Sequence, residues 1–200
     1  MTYEYENLCF SRGFVRVAGV DEAGRGPLAG PVFAGAVILP AGLEDIGLND
    51  SKKLTEKKRD ILFDLIRENA VSYGVGMATE QEIDALNILN ATFLAMKRAV
   101  EALELPPDVL LIDGNRPPRI LQNEITVIKG DAKVISIAAA SVLAKVSRDR
   151  YMQKLSEQYP QYEFDKHKGY PTKRHYELIL EHGVSAVHRR SFLKNLDEHR

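Results

Sequence analysis

The chain has 200 residues, 44% of them hydrophobic and 28% charged, with a formal net charge of −1. That length and composition fit one soluble globular domain with a sizeable core, and no apolar run reaches the ~18–20 residues of a membrane span. One cysteine, Cys9, excludes an intrachain disulfide, and with the acidic start Met1-Thr2-Tyr3-Glu4-Tyr5-Glu6 it leads to the expectation of a reducing, cytoplasmic setting with no secretory signal.

The predicted elements alternate between strands and helices. Phe14–Val20 reads as a strand ending in Asp21-Glu22 and a glycine-rich loop. Val32–Leu39 reads as a second strand, closed by Pro40-Ala41-Gly42, and the short loop between the two suits an antiparallel return. Residues 42–53 are polar and irregular. Thr55 opens a helix whose apolar positions Ile61, Leu62, Leu65 and Ile66 share one face. Ser72–Ala78 is a third strand. Thr79-Glu80-Gln81-Glu82 has the form of a capping box, and the long helical pattern behind it allows a break near Asn87–Asn90 before Pro106-Pro107 stops it. Val109–Ile112 and Ile125–Ile128 are short strands followed by Asp113-Gly114-Asn115 and Gly130-Asp131. Val134–Tyr159 reads as a helix whose centre, Ala138-Ala139-Ala140-Ser141, allows close packing on a sheet; Pro160 ends it. A basic and aromatic loop runs to Pro171, and Thr172 caps a last helix that Gly183 terminates. Early antiparallel strands followed by crossovers indicate a mixed α/β sheet.

Three strand ends carry acids: Asp21-Glu22, Asp113 and Asp131. Ligands of open α/β sheets gather outside the carboxyl ends of strands. If the first, fourth and fifth strands are parallel neighbours, four carboxylates converge on one edge. They cannot all stay ionised without cations, and hard divalent ions with oxygen ligands, Mg²⁺ or Mn²⁺, answer that need. Strand-end acids are also ordinary turn residues, so each one alone carries little. Charge is unevenly spread: residues 129–174 hold ten Lys and Arg against five Asp and Glu. Such a basic stretch either makes one face attractive to phosphates or is a solvated helix surface. The five histidines have no cysteine partner and no zinc-site spacing.

Seven motifs in order carry a resemblance. They are Gly19-Val20-Asp21-Glu22-Ala23-Gly24-Arg25-Gly26-Pro27, Asp50-Ser51-Lys52-Lys53-Leu54, Leu111-Ile112-Asp113-Gly114, Gly130-Asp131-Ala132-Lys133, residues 137–149, His167-Lys168-Gly169-Tyr170-Pro171-Thr172 and His188-Arg189-Arg190-Ser191-Phe192. Together they resemble bacterial ribonuclease HII from about residue 14 to 193. The resemblance implies an RNase H-like fold: a five-stranded mixed sheet flanked by helices, with a C-terminal helical segment. The expected organisation is one catalytic domain over 1–200, with a core at about 14–160 and a substrate-binding segment at about 161–200. It implies an endonuclease, dependent on Mn²⁺ or Mg²⁺, that cuts the RNA strand of RNA–DNA hybrids. It also implies nicking 5′ to ribonucleotides embedded in duplex DNA, leaving 3′-hydroxyl and 5′-phosphate ends by two-metal-ion hydrolysis.

The implied metal-binding and catalytic acids are Asp21, Glu22, Asp113 and Asp131, with Asp21 as the bridge between ions. The loop Gly24-Arg25-Gly26 is implied to read the ribose 2′-hydroxyl through its backbone, and Tyr170 to sense the sugar after the ribonucleotide. The 2′-hydroxyl is the group that separates ribose from deoxyribose, and glycine backbone can approach it without a Cβ. Lys52, Lys53, Lys145 and Arg148 are expected to contact phosphates, which positions a duplex without reading its sequence. Ser191-Phe192-Leu193 reads as a packing element rather than a sliding-clamp peptide. A monomer that meets no membrane is expected. Rival readings are a resolvase- or transposase-type nuclease, which the glycine–arginine–glycine loop disfavours, a hybrid-binding protein without catalysis, which the four acids disfavour, and a small-molecule phosphatase, which the basic segment disfavours.

Overall fold

A five-stranded sheet, in the order β3-β2-β1-β4-β5, organises the chain. It is seen in a computed structural model that describes residues 2–42, 47–48, 55–194 and 196. In chain order the elements are α1 (Glu4–Ser11), β1 (Val17–Ala23), β2 (Val32–Ile38), α2 (Glu56–Asn69), β3 (Ser72–Ala78), α3 (Glu80–Leu86), α4 (Ile88–Glu101), β4 (Val109–Asp113), β5 (Glu124–Val127), α5 (Ile135–Gln158), α6 (Phe164–His167) and α7 (Lys173–His182). β1, β2 and β3 pair antiparallel, whereas β1, β4 and β5 run parallel. The expected mixed sheet is therefore present, and among the described residues no helix is long and apolar enough to cross a membrane.

β2 is buried along its whole length because both faces of the sheet are covered. Ala34, Ala36 and Ile38 pack with Ala95, Met96 and Ala99 of α4. Val37, on the other face, packs with Ala139, Ala140 and Leu143 of α5. This is the two-residue alternation of a strand between two helical layers. The small centre of α5 lies directly on the sheet. A Cβ on Gly19 would collide with the Ser136 backbone, and one on Gly35 with the Ala140 carbonyl.

Three details differ from the sequence expectation. β1 starts and ends three residues later than read, so Asp21 and Glu22 lie inside it. Pairing with β2 (Asp21 opposite Gly35, Glu22 opposite Ala34) carries the strand through the acids. The crossover from β4 to its parallel neighbour β5 holds no helix. An N-terminal helix, α1, also appears where the sequence showed no motif. Its buried Glu6 accepts hydrogen bonds from the Ser136 backbone N–H at 2.9 Å and hydroxyl at 2.7 Å. α5 has no side-chain cap of its own, so a distant carboxylate satisfies an orphan N–H at its positive end. The expected helix break is real: Asn87 adopts φ +69° between α3 and α4, and its Oδ1 accepts from the Leu89 and Asn90 N–H groups.

The C-terminal part, α6, α7 and a 3₁₀ turn at Arg190–Phe192, closes over the second half of α5. Phe164, Leu178 and Ile179 pack there against Met152 and Leu155, and Leu28 and Ala29 of the glycine-rich loop join them. The Arg189 N–H donates to the Leu28 carbonyl at 2.8 Å, tying the two ends of the chain together.

Candidate active site

Parallel pairing of β1 with β4 sets Val20 opposite Ile112, so the next residues, Asp21 and Asp113, stand side by side at the carboxyl end of β4. Glu22 follows on β1. All three line one cavity of about 430 Å³ together with Gly24, Arg25, Gly26, Arg59, Ser141, Lys145 and Tyr170. Asp131 stands in the turn after β5 and is 6% exposed. It does not line this cavity, but its neighbour Gly130 donates an N–H to Asp113 Oδ1 at 2.6 Å, which joins the β5 turn to the acid edge. Glu22, Arg25 and Asp113 also border a second depression beside Phe93, Met96 and Arg116.

The acids strain against one another. Burial pushes the Asp21 carboxyl well above the usual carboxylate range, and the charges of Glu22 and Asp113 push it further; hydrogen bonding, from Ser141 foremost, opposes this. Burial also raises Glu22, against the pull of Arg25, whose Nη1 lies 3.2 Å from Glu22 Oε1. A cation bound among these buried acids would oppose the rise by favouring their charged forms. Among the described residues no three His, Cys, Asp or Glu side chains are already arranged as a metal cage. The donor set nevertheless fits Mg²⁺ or Mn²⁺. Such ions are commonly held by one or two carboxylates, with waters and substrate phosphates completing the shell.

The glycine loop is suspended from two arginines that are fully buried, Arg148 and Arg189. Arg189 donates to the carbonyls of Gly24 at 2.6 Å, Arg25 at 2.9 Å and Gly30 at 2.8 Å. A trans peptide directs its carbonyl and its N–H to opposite sides. With the Gly24 and Arg25 carbonyls turned to Arg189, the Arg25 and Gly26 N–H groups point away from it. Gly24 is required to be glycine twice over: its φ is +93°, and a Cβ would collide with the Arg148 side chain.

Arg148 donates to the carbonyls of Pro31 at 3.1 Å, Lys168 at 3.0 Å and Ala29 at 3.2 Å. The expected phosphate contact at Arg148 is corrected accordingly: a guanidinium enclosed by carbonyls braces two loops and faces no solvent. Lys145 does reach the cavity, held at 2.6 Å by Asp149. Lys52 and Lys53 lie outside the described residues. Tyr170, 40% exposed, forms the far wall; its ring lies over the Arg148 guanidinium at 5.7 Å, and a Cβ built on Gly26 would sit 3.9 Å from its Cε1.

Arg59, Ser141 and Arg189 were not singled out by sequence. Ser141 was hidden in a run read as packing. Arg189 sits in a motif whose chemistry shows only once its carbonyl partners are known. His167 turns both ring nitrogens to backbone groups, Tyr162 O at 2.7 Å and Gly169 N at 3.1 Å.

A family model described as Ribonuclease HII matches residues 18–195. The chain is 51% identical over 192 residues to ribonuclease HII of Clostridioides difficile, covering 96% of this chain and 75% of that one. It is 54% identical over 194 residues to the Caldicellulosiruptor saccharolyticus protein of the same name, covering 97% and 95%. Among solved structures, ribonuclease H2 from Pyrococcus horikoshii superposes with a TM-score of 0.78 at 32% identity, covering 92% of this chain and 98% of that one. Bst-RNase HIII in complex with Mn²⁺ shares the fold, with a TM-score of 0.70 at 18% identity over 92% and 69%.

Proposed function

The chain belongs to the ribonuclease HII family, metal-dependent endonucleases that cleave RNA in RNA–DNA hybrids, and on that premise we propose that it also nicks duplex DNA 5′ to an embedded ribonucleotide. The observation that carries this reading is one cavity bordered at once by Asp21, Glu22 and Asp113, by Gly24-Arg25-Gly26 and by Tyr170. A site for hydrolysing a phosphodiester and a site for reading the sugar beside it then coincide.

Asp21, Glu22, Asp113 and Asp131 are the proposed metal-binding acids. Mg²⁺ or Mn²⁺ ions bound there would supply water activation and charge neutralisation at the departing 3′-oxygen. The chain's own residues do the rest. Ser141 orients the Asp21 carboxylate by a hydrogen bond. The outward N–H groups of the glycine loop donate to the 2′-hydroxyl, a contact deoxyribose cannot reproduce. Tyr170 stacks on the following sugar and excludes a second 2′-hydroxyl. Lys145, with Lys52 and Lys53, attracts the phosphates. Arg59 faces the same cavity and adds to that positive lining. The protein acts as a monomer in the cytoplasm, a setting in keeping with its lone, buried Cys9.

The test uses an end-labelled DNA duplex carrying one ribonucleotide, an all-DNA control, and Mg²⁺, Mn²⁺ or EDTA. A single metal-dependent nick just 5′ to the ribonucleotide is the expected result. Cleavage of long hybrids without that nick would remove the junction reading and leave the hybrid nuclease.

A further inference from the structure

Two histidines outside the cavity are joined by hydrogen bonds to the backbone from which Tyr170 projects. His175 on α7 and His188 in the loop beyond it are buried, at 0% and 2% exposure. Their Nε2 atoms are 3.1 Å apart. A backbone N–H can only donate, and the Ser185 N–H meets His188 Nδ1 at 3.1 Å, so that nitrogen is the acceptor. A neutral His188 then carries its proton on Nε2 and donates to His175 Nε2. His175 in turn carries its proton on Nδ1, which donates to the Tyr170 carbonyl at 3.0 Å. One tautomer of each ring satisfies every partner, and the order runs Ser185, His188, His175, Tyr170. Aromatic edges hold both ring planes: Tyr162 lies 4.9 Å from His188, and Phe164 lies 5.7 Å from His175.

Tyr170 needs such a restraint. Lys168 and Gly169 before it have φ of +50° and +80°, so no regular element fixes its approach. Its N–H donates to the His167 carbonyl at 2.9 Å, and its carbonyl also accepts from the Thr172 N–H at 2.8 Å. The His175 contact ties this segment to α7 and, through His188, to the loop beyond α7.

Resting on the proposed role of Tyr170 at the sugar, we propose that His175 and His188 are positioning residues: a couple fixed in one tautomeric order that sets the Tyr170 ring for discrimination between a lone ribonucleotide and continuous RNA. Neither histidine touches the acids or the substrate. The couple acts on the choice of substrate through Tyr170 and leaves hydrolysis itself to the cavity.

The test compares two near-isosteric variants of the full chain. His188→Gln places an amide N–H near the old Nε2 and keeps a donor for His175. His188→Asn places its amide near the old Nδ1 and gives His175 none. The readout is the ratio of kcat/KM on a single-ribonucleotide duplex to that on a uniform RNA–DNA hybrid. His188→Asn should lower the ratio roughly tenfold, since small misplacements of positioning groups are costly, and His188→Gln should restore it. In a Tyr170→Ala background neither change should move the ratio. A loss of both activities in equal proportion would show a merely structural role and overturn the proposal.

A ligand-free measurement separates this from the junction reading. ¹⁵N-histidine NMR of the wild type should show His188 protonated on Nε2 and His175 on Nδ1. The Tyr170 ring resonances should shift in His188→Asn and not in His188→Gln. The reverse tautomers, or an unmoved Tyr170, would sink the couple even if the junction nick is found. The expected tautomers with no junction nick would sink the substrate reading and keep the couple as a device that places Tyr170.

Discussion

Arg189 Nη2 donates to the carbonyl of Gly24 at 2.6 Å across 165 residues of sequence. The loop that borders the acids therefore takes its peptide orientation from the far end of the chain. Burial drives the Arg189 pKa down to about 9, aided by the nearby charge of Arg148; the Glu80 carboxylate opposes this most strongly. A buried cation is tolerated here because carbonyl oxygens receive its N–H groups.

Arg189→Lys should expose the cost of that arrangement. A lysine is a compact point donor and cannot match three carbonyls with a planar fork. At least one buried carbonyl is then left unmatched, and the fold should lose about 1–3 kcal/mol. Urea denaturation gives that number. Cleavage beside a ribonucleotide should fall further than duplex binding, read from kcat/KM against the dissociation constant, because the loop's N–H groups would turn. Equal falls in both would argue that Arg189 serves stability alone.

Asp21→Asn should separate activity from stability. The Asp21 carboxyl is raised in the folded protein by burial first and by its acidic neighbours second. A raised folded pKa means that the ionised group opposes folding once pH exceeds its unfolded value, 3.8. Without metal at neutral pH, the asparagine variant should melt about 2–4 °C higher than the wild type. Its turnover should fall by about 10³-fold or more, as when a charge-stabilising group is removed. A less stable metal-free variant would show that the acids are not in mutual repulsion.

Metal addition should reverse that order. Mn²⁺ or Mg²⁺ binding only the folded state adds about 2.7 kcal/mol at one hundred times its dissociation constant. The wild type should gain melting temperature on titration with either ion and lose the gain with EDTA. Asp21→Asn should gain little. An equal rise in both proteins would place the ions elsewhere.

Acid should act first on the histidines. Burial lowers His188 to about 3 and His175 to about 4, from an ordinary 6.5. A depressed folded pKa makes their contribution complete above 6.5 and lost as pH falls toward those values, because the unfolded chain takes up the protons first. Below 6.5 each histidine should cost about 1.4 kcal/mol per pH unit. Glu82, Asp108 and Glu163, each lowered to about 2, add losses in the same direction only at lower pH. Urea midpoints between pH 6.5 and 5 should fall less steeply for His188→Gln than for the wild type. Matching slopes would mean that the pair is not buried neutral.

Much of this protein is written in local pattern. The Thr79 capping box, the break at Asn87, the alanine centre of α5 and the acids toward the carboxyl ends of β1 and β4 all follow from interactions within a few residues. The motif around Gly24-Arg25-Gly26 was equally legible, because a loop needing positive φ selects glycine whatever packs on it. The resemblance to ribonuclease HII rests on the same short segments taken in order.

Other features required the folded chain. The Glu6 carboxylate at the start of α5 joins residues 130 apart, and no periodicity announces such a pair. Arg148 read as a phosphate ligand because isolated arginines in basic segments face solvent; the β1–β2 loop and the segment after α6, closing on α5, make it a buried brace. Arg189 carries no local signal of its partners, which are carbonyls of a loop about 160 residues away, and nothing in the spacing of His175 and His188 shows that their rings meet. Sequence by itself determined which residues bear charge and where the chain turns, since those depend on side-chain chemistry and local sterics. Tertiary structure alone decided which charges face the cavity and which are enclosed, because burial and hydrogen-bond geometry exist only between segments that folding brings together.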